Sequence, residues 1–121
     1  MGFAVIAHEP AAFAALTAAR TARQAASVTD EGAGAALFAS AGCAACHRIA
    51  GTSANGLAGP DLTHVGARRT LGAGVLPNNR GTLMGWIGDS QAIKPNNRMP
   101  PYANLSGEEL TVLAAYLEGQ R

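Results

Sequence analysis

The clearest periodicity in the chain lies near its end. Leu110, Leu113, Ala114 and Leu117 recur at i, i+3, i+4 and i+7, which lays one apolar stripe along a helix. Ser106 stands where that helix needs a cap, and Glu109, three residues on, is its reciprocal partner. Glu108 and Glu109 also complement the positive end of the helix dipole. Gly119 is placed to end the helix. A second helix is expected over residues 34–50, anchored by Leu37 and Phe38, and a short third one over residues 83–88 carrying Trp86. Near the start, the β-branched and aromatic content of residues 2–7 predicts a short strand. Pro10 then opens an alanine-rich helix over residues 11–23 with Phe13 and Leu16, since proline is well tolerated in a first helical turn. Residues 27–33 have the composition of a linker, with Thr29 or Asp30 placed to cap the helix after it.

Between residues 51 and 105 the pattern changes to Gly, Pro and Asn, with little regular periodicity. A loop zone of that length is unusual inside a small domain unless something other than side chains fills the centre. Composition points the same way. Aromatic residues make up 5% and charged residues 14% of 121 residues, so a single small domain with an arm would gain much of its core from a large, flat, apolar body. A formal net charge of +1 leaves no electrostatic footprint for nucleic acid. Residues 3–28 are alanine-rich but broken by His8, Glu9, Pro10, Arg20, Arg23 and Gln24. They fall short of the roughly 20 apolar residues a bilayer helix needs. They also make a poor export signal, with no basic leading region and Glu9-Pro10 close to the start.

Cys43-Ala44-Ala45-Cys46-His47 supplies the candidate for the central body. Two thiols one turn apart with a histidine directly after the second form the attachment signature of a c-type haem. The spacing lets both sulfurs reach the porphyrin vinyl groups while the adjacent imidazole addresses the iron, making His47 the proximal ligand. Other readings of the pair are weaker. A structural zinc site needs about four ligands, usually as two pairs. Here there are no further cysteines, and His8 and His64 are not paired. A thioredoxin-like redox pair needs a preceding strand, whereas residues 35–41 read as helix. A disulfide across so short a loop removes little unfolded-chain entropy.

Taken together, these residues resemble class I cytochrome c. Gly34 to Phe38 ahead of the haem motif is similar to that family's N-terminal helix, and Leu113 to Leu117 to its C-terminal helix. The resemblance implies an all-α class I cytochrome c fold in which these helices cross over a covalently bound haem, with Gly34, Phe38, Leu113 and Tyr116 at the contact. Residues 51–71 and 94–100 are similar, more narrowly, to the haem domain fused to subunit II of caa3-type cytochrome c oxidases. Residues 1–13 look like the end of the CuA domain that precedes it there, although Leu16-Thr17 departs from the usual Trp-Leu. The implied division is residues 1–28 as a CuA (cupredoxin) remnant and linker, and residues 29–121 as the cytochrome c domain. The cysteines and histidines that complete a CuA centre are missing, so CuA belongs only to a longer subunit.

The resemblance also assigns roles. It implies that the carbonyl of Pro60, within Gly59-Pro60-Asp61-Leu62, orients His47. Met99, in the stiff Arg98-Met99-Pro100-Pro101 loop, is the candidate distal ligand, since a thioether opposite an imidazole raises the reduction potential. Met84 falls in an expected helix and suits a core role; His64 is the competing distal candidate. Residues 43–100 hold Arg48, Arg68, Arg69, Arg80, Lys94 and Arg98 against Asp61 and Asp89. From that set Arg69, with Trp86, is the expected contact for the haem propionates, while Arg80 and Arg98 read as solvated surface.

The implied function is electron relay through one covalent haem c with His/Met ligation to CuA, within a respiratory oxidase. The domain would have no substrate site of its own. Implied partners are oxidase subunit I, the CuA domain, and an electron donor such as a bc1 complex or a soluble cytochrome c. The implied location is the periplasmic face of a bacterial inner membrane, reached through an upstream segment carrying the export signal and the membrane tether. A free periplasmic shuttle, and a haem enzyme or gas sensor with an open distal site, are the alternatives.

Overall fold

The computed structural model describes residues 5–25 and 31–121. Its elements in chain order are α1 (Pro10–Ala25), α2 (Ala33–Ser40), α3 (Cys43–Cys46), a 3-10 turn (Val65–Ala67), β1 (Thr70–Leu71), β2 (Leu76–Pro77), α4 (Arg80–Ile93) and α5 (Gly107–Glu118). Among the described residues the regular structure is helical apart from one small antiparallel hairpin, in which Thr70 faces Pro77 and Leu71 faces Leu76. Among the described residues no helix is long and apolar enough to cross a membrane.

α5 forms as its sequence dictates. Ser106 Oγ accepts from the Glu109 N–H at 3.2 Å, and the Glu109 carboxylate accepts from the Ser106 N–H at 2.8 Å. That backbone bond, helped by the Ser106 hydroxyl, holds the Glu109 carboxyl below the usual carboxylate range. Leu113, Ala114 and Leu117 are buried. Gly119 closes the helix without leaving the right-handed region (φ −71°); its N–H donates to the Ala115 carbonyl and the Gln120 N–H to the Leu117 carbonyl, both at 3.1 Å.

α2 crosses α5 at Gly34. A Cβ built there would lie 2.5 Å from Tyr116 Cβ and 3.2 Å from the Val112 carbonyl oxygen, so only a residue without a side chain permits this approach. Phe38 packs its ring 5.8 Å from that of Tyr116. α4 lies along the same helix, and its first residue, Arg80, pairs with Glu118 at 2.6 Å. Arg80 is therefore an ion-paired residue rather than a simply solvated one, although a half-exposed pair contributes at most about 1 kcal/mol. Ile49 and Leu113 are the most fully enclosed of the large apolar side chains, and Phe38, Val65, Leu71, Leu83, Ile87 and Leu117 are buried around them. The chain end is stitched to the 3-10 turn by Gly66 N–H to the Gln120 carbonyl at 2.8 Å.

Several expectations are corrected. Residues 5–7 form no strand, while residues 2–4 of the expected strand lie outside the described residues. α2 is capped by Gly32, at φ +96° and with no side-chain bond, rather than by Thr29 or Asp30, both outside the described residues. The helix expected over 34–50 stops at Ser40, because Gly42 turns left-handed (φ 78°) and restarts the chain as the single turn α3. α4 is far longer than residues 83–88, since Asn79 and Thr82 form a capping box ahead of it. The hairpin arises from three consecutive positive-φ residues, Gly72, Ala73 and Gly74.

Gly34→Val should lower stability by about 2 kcal/mol through overpacking at the helix crossing. An unchanged urea midpoint would mean that α2 and α5 do not approach this closely.

Candidate functional site

Gly42 sets the site in motion. Its left-handed backbone swings the chain into α3, where one turn carries a buried Cys43 and an exposed Cys46, with no disulfide between them. Burial pushes the Cys43 thiol up, against an opposing hydrogen bond from the Tyr102 side chain. His47 leaves the turn in extended geometry (φ −106°, ψ 147°), its N–H still bonded to the Cys43 carbonyl at 2.9 Å.

The loop after His47 folds back onto this turn through its backbone. Gly56 N–H lies 3.1 Å from both the Ala44 and His47 carbonyls, and Gly59 N–H donates to the Cys46 carbonyl at 2.7 Å. Both glycines are required by contact. A Cβ on Gly56 would sit 2.4 Å from the Cys46 carbonyl carbon, and one on Gly59 would sit 2.6 Å from His47 Cε1. The loop then presents the Pro60 carbonyl 2.8 Å from His47 Nδ1. A carbonyl only accepts, so Nδ1 carries the proton and a neutral ring keeps its lone pair on Nε2.

The Pro60 segment is braced from behind. Asp61 Oδ1 accepts from the Thr63 N–H at 2.8 Å and from the Thr63 hydroxyl. Thr63 Oγ1 in turn accepts from the buried Ala50 N–H at 3.0 Å, and Arg68 Nη2 donates to the Asp61 carbonyl at 2.6 Å. Desolvation would raise the Asp61 carboxyl, but the Thr63 bonds and the Arg48 and Arg68 charges outweigh it and hold it below the usual range.

Met99 is half-buried and packs against the same apolar cluster that contains Cys43, as do Leu62, Leu76 and Tyr102. Tyr102 carried no sequence signal beyond its place two residues after Pro100. Its N–H is fixed by the Ile87 and Gly88 carbonyls at 3.2 and 3.1 Å, and its side chain bonds Cys43. Trp86 is half-buried on α4 with its ring against Gly72, where an added Cβ would meet Cζ3 at 2.7 Å. Arg69 is exposed just before β1, its carbonyl accepting from Asn78 N–H at 3.0 Å. His64 lies elsewhere, on a cleft of about 250 Å³ lined by Arg20, Asp61, Thr63, Ala67 and Arg68. The structure thus brings Cys43, Cys46, His47 and Pro60 into one unit, adds Met99 to the cluster beside it, and leaves His64 on a separate cleft.

These residues fit a porphyrin joined through its edge. Two unpaired thiols stand one turn apart, an imidazole has Nδ1 committed and Nε2 left as a donor, and two glycines clear the backbone where bulk would displace the ring.

Asp61 also sets a pH dependence. Its lowered carboxyl contributes stability above its unfolded value of about 3.9 and loses it as pH falls through the lower, folded value. The stability advantage of wild type over Asp61→Asn should therefore be constant near neutrality and shrink below about pH 4. Urea midpoints measured against pH check this; a difference independent of pH would contradict it.

A family model described as Cytochrome c matches residues 32–120. Among curated proteins, the chain is similar to cytochrome c oxidase subunit 2 of Alkalihalophilus pseudofirmus, at 41% identity over 81 residues covering 67% of this chain and 23% of that protein. Subunit 2 of Bacillus subtilis (strain 168) is 34% identical over 87 residues, 69% of this chain and 24% of its own length. Subunit 2 of Bacillus sp. (strain PS3) is 33% identical over 79 residues, 62% and 22% respectively. The chain spans about a quarter of the length of these relatives.

Proposed function

The chain belongs to the cytochrome c family, and we infer from this that it transfers electrons through a single haem joined by thioethers to Cys43 and Cys46 and held axially by His47 and Met99. The His47–Pro60 hydrogen bond at 2.8 Å carries the reading, because it commits one ring nitrogen and leaves the other free for iron, beside the two thiols. Bound there, the haem would supply a one-electron Fe(III)/Fe(II) couple.

The chain's own residues do the rest. Pro60 has a rigid φ, so its carbonyl holds the imidazole in one tautomer and one orientation. The Met99 thioether, soft and weakly basic, favours the reduced form and raises the potential. If His47 and Met99 both held the iron, no coordination position would remain for substrate, which suits relay rather than catalysis. Cys43 and Met99 lie on one apolar cluster, which would shield a haem held there from water. Arg69 supplies a guanidinium fork and Trp86 an indole N–H for the haem propionates.

The larger setting comes from the relatives, which are named cytochrome c oxidase subunit 2. In that setting residues 1–28 are the tail of a CuA (cupredoxin) domain with its linker, and residues 29–121 are the cytochrome c domain. The domain accepts electrons from a bc1 complex or a soluble cytochrome c and relays them to CuA of the same subunit, docked against oxidase subunit I. It works on the periplasmic face of a bacterial inner membrane. Contacts with mobile donors are small and short-lived, as electron-transfer encounters are.

Met99→Ala tests the ligand set. Wild type should titrate as a reversible one-electron couple, show the weak far-red charge-transfer band of ferric iron bound to a thioether, and bind carbon monoxide slowly. The variant should lose the band, bind carbon monoxide readily and shift to a lower potential. Rapid carbon monoxide binding by wild type would favour an open-site enzyme or sensor instead.

A further inference from the structure

Methionine is a flexible side chain on which to hang an axial ligand. Its thioether is a weak donor and its three rotatable bonds fix little, so the backbone that carries it must be held. Here that backbone is held from one direction. α4 leaves helical geometry at Asp89 (φ −153°, ψ 80°), where Asp89 Oδ1 recaps the chain on the Ala92 N–H at 3.0 Å. The next residue, Ser90, is fully buried, and its hydroxyl donates to Asn97 Oδ1 at 3.0 Å. The same oxygen accepts from the Met99 N–H at 2.9 Å, while Asn97 Nδ2 donates to the Lys94 carbonyl at 2.8 Å. Gln91 Nε2 donates to the Met99 carbonyl at 3.1 Å. Lys94 also ties the segment to the hairpin, through Nζ to the Gly72 carbonyl at 3.0 Å. Asn96 makes the reversal with a left-handed backbone (φ 68°).

Asn97 is the hub of this arrangement. It uses both lone-pair directions of its amide oxygen and one amide hydrogen, joining the buried end of α4 to the peptide of Met99. The Ser90 hydroxyl behind it has no access to water and fixes the amide's orientation. We propose that Asn97, oriented by Ser90, is a positioning residue that keeps the Met99 thioether on the iron. Without it, Met99 would still reach the ligand position but would leave it more often, opening the distal side.

This proposal rests on Met99 being the axial ligand, and the experiment separates the two. The haem-loaded chain is prepared as wild type, Asn97→Ala, Ser90→Ala and Met99→Ala. Three quantities are compared: the far-red thioether band against temperature, carbon monoxide association with the reduced protein, and global unfolding by far-ultraviolet circular dichroism. Carbon monoxide waits on the population with the thioether detached, and the hydrogen bonds of Asn97 hold that population down. Asn97→Ala should therefore bind carbon monoxide about tenfold faster than wild type. It should also lose its far-red band well below its unfolding temperature. Ser90→Ala should shift both readouts in the same direction by less, whereas a merely structural role would move unfolding alone.

If both variants bind carbon monoxide at the wild-type rate and keep the band until they unfold, while Met99→Ala lacks it, the positioning role is overturned and the ligand assignment stands. If Met99→Ala keeps the band, the ligand assignment falls and the proposal with it. Should Asn97→Ala fail to fold, Ser90→Ala, which removes one hydroxyl, decides by the same two readouts.

Discussion

The hydrogen bond from His47 Nδ1 to the Pro60 carbonyl joins two stretches of chain thirteen residues apart and decides what the imidazole can do. Its net contribution to stability is modest, on the order of 1 kcal/mol. Its consequence for chemistry is larger, because it assigns the ring proton and leaves a single nitrogen as a metal donor. Everything between the two residues serves that contact. Gly56 and Gly59 lie so close to α3 and to the imidazole that no side chain fits at either position, and their N–H groups close the loop on the carbonyls of Ala44, Cys46 and His47. Asp61, Thr63 and Arg68 then hold the far side of Pro60 in place.

The rest of the fold keeps that loop against a firm support. α2 and α5 approach closely at Gly34, with Phe38 and Tyr116 in ring contact, and α4 packs along the same α5. α2 and α4 thus both pack on α5, and the site loop between His47 and Asp61 is carried on the turn that follows α2. Cys43 and Met99 share one apolar cluster, so the proposed points of attachment and ligation are set by the packing that also holds the helices.

What the sequence revealed, it revealed where interactions are local. The Ser106–Glu109 box and the apolar stripe of α5 are written in consecutive residues, and the structure realises both. The Cys43–His47 motif is written in consecutive residues too, whereas the contact of Gly34 and Phe38 with Tyr116, which spans the fold, is legible only through the resemblance. Features set by backbone twist or distant partners are not legible in this way. The break at Gly42 and the hairpin around Ala73 depend on left-handed residues that periodicity does not register. α4 looks shorter in the sequence than it is, because its box uses Asn79 and Thr82 instead of Ser and Glu. The expected N-terminal strand has the right composition, but a strand needs a neighbour for its hydrogen bonds, and residues 5–7 have none among the described residues. Tyr102, Ser90 and Asn97 matter through contacts across the fold, which no spacing announces.

The proposed electron transfer depends on porphyrin joined by covalent bonds to Cys43 and Cys46. Intact mass of the protein, purified from a host able to mature such proteins and then washed with acidified acetone, tests it most directly. The expected outcome is a mass greater than the polypeptide by one haem, colour retained after the wash, and the added mass on the peptide containing residues 43–47. A polypeptide of unmodified mass, or colour that leaves with the solvent, would contradict it.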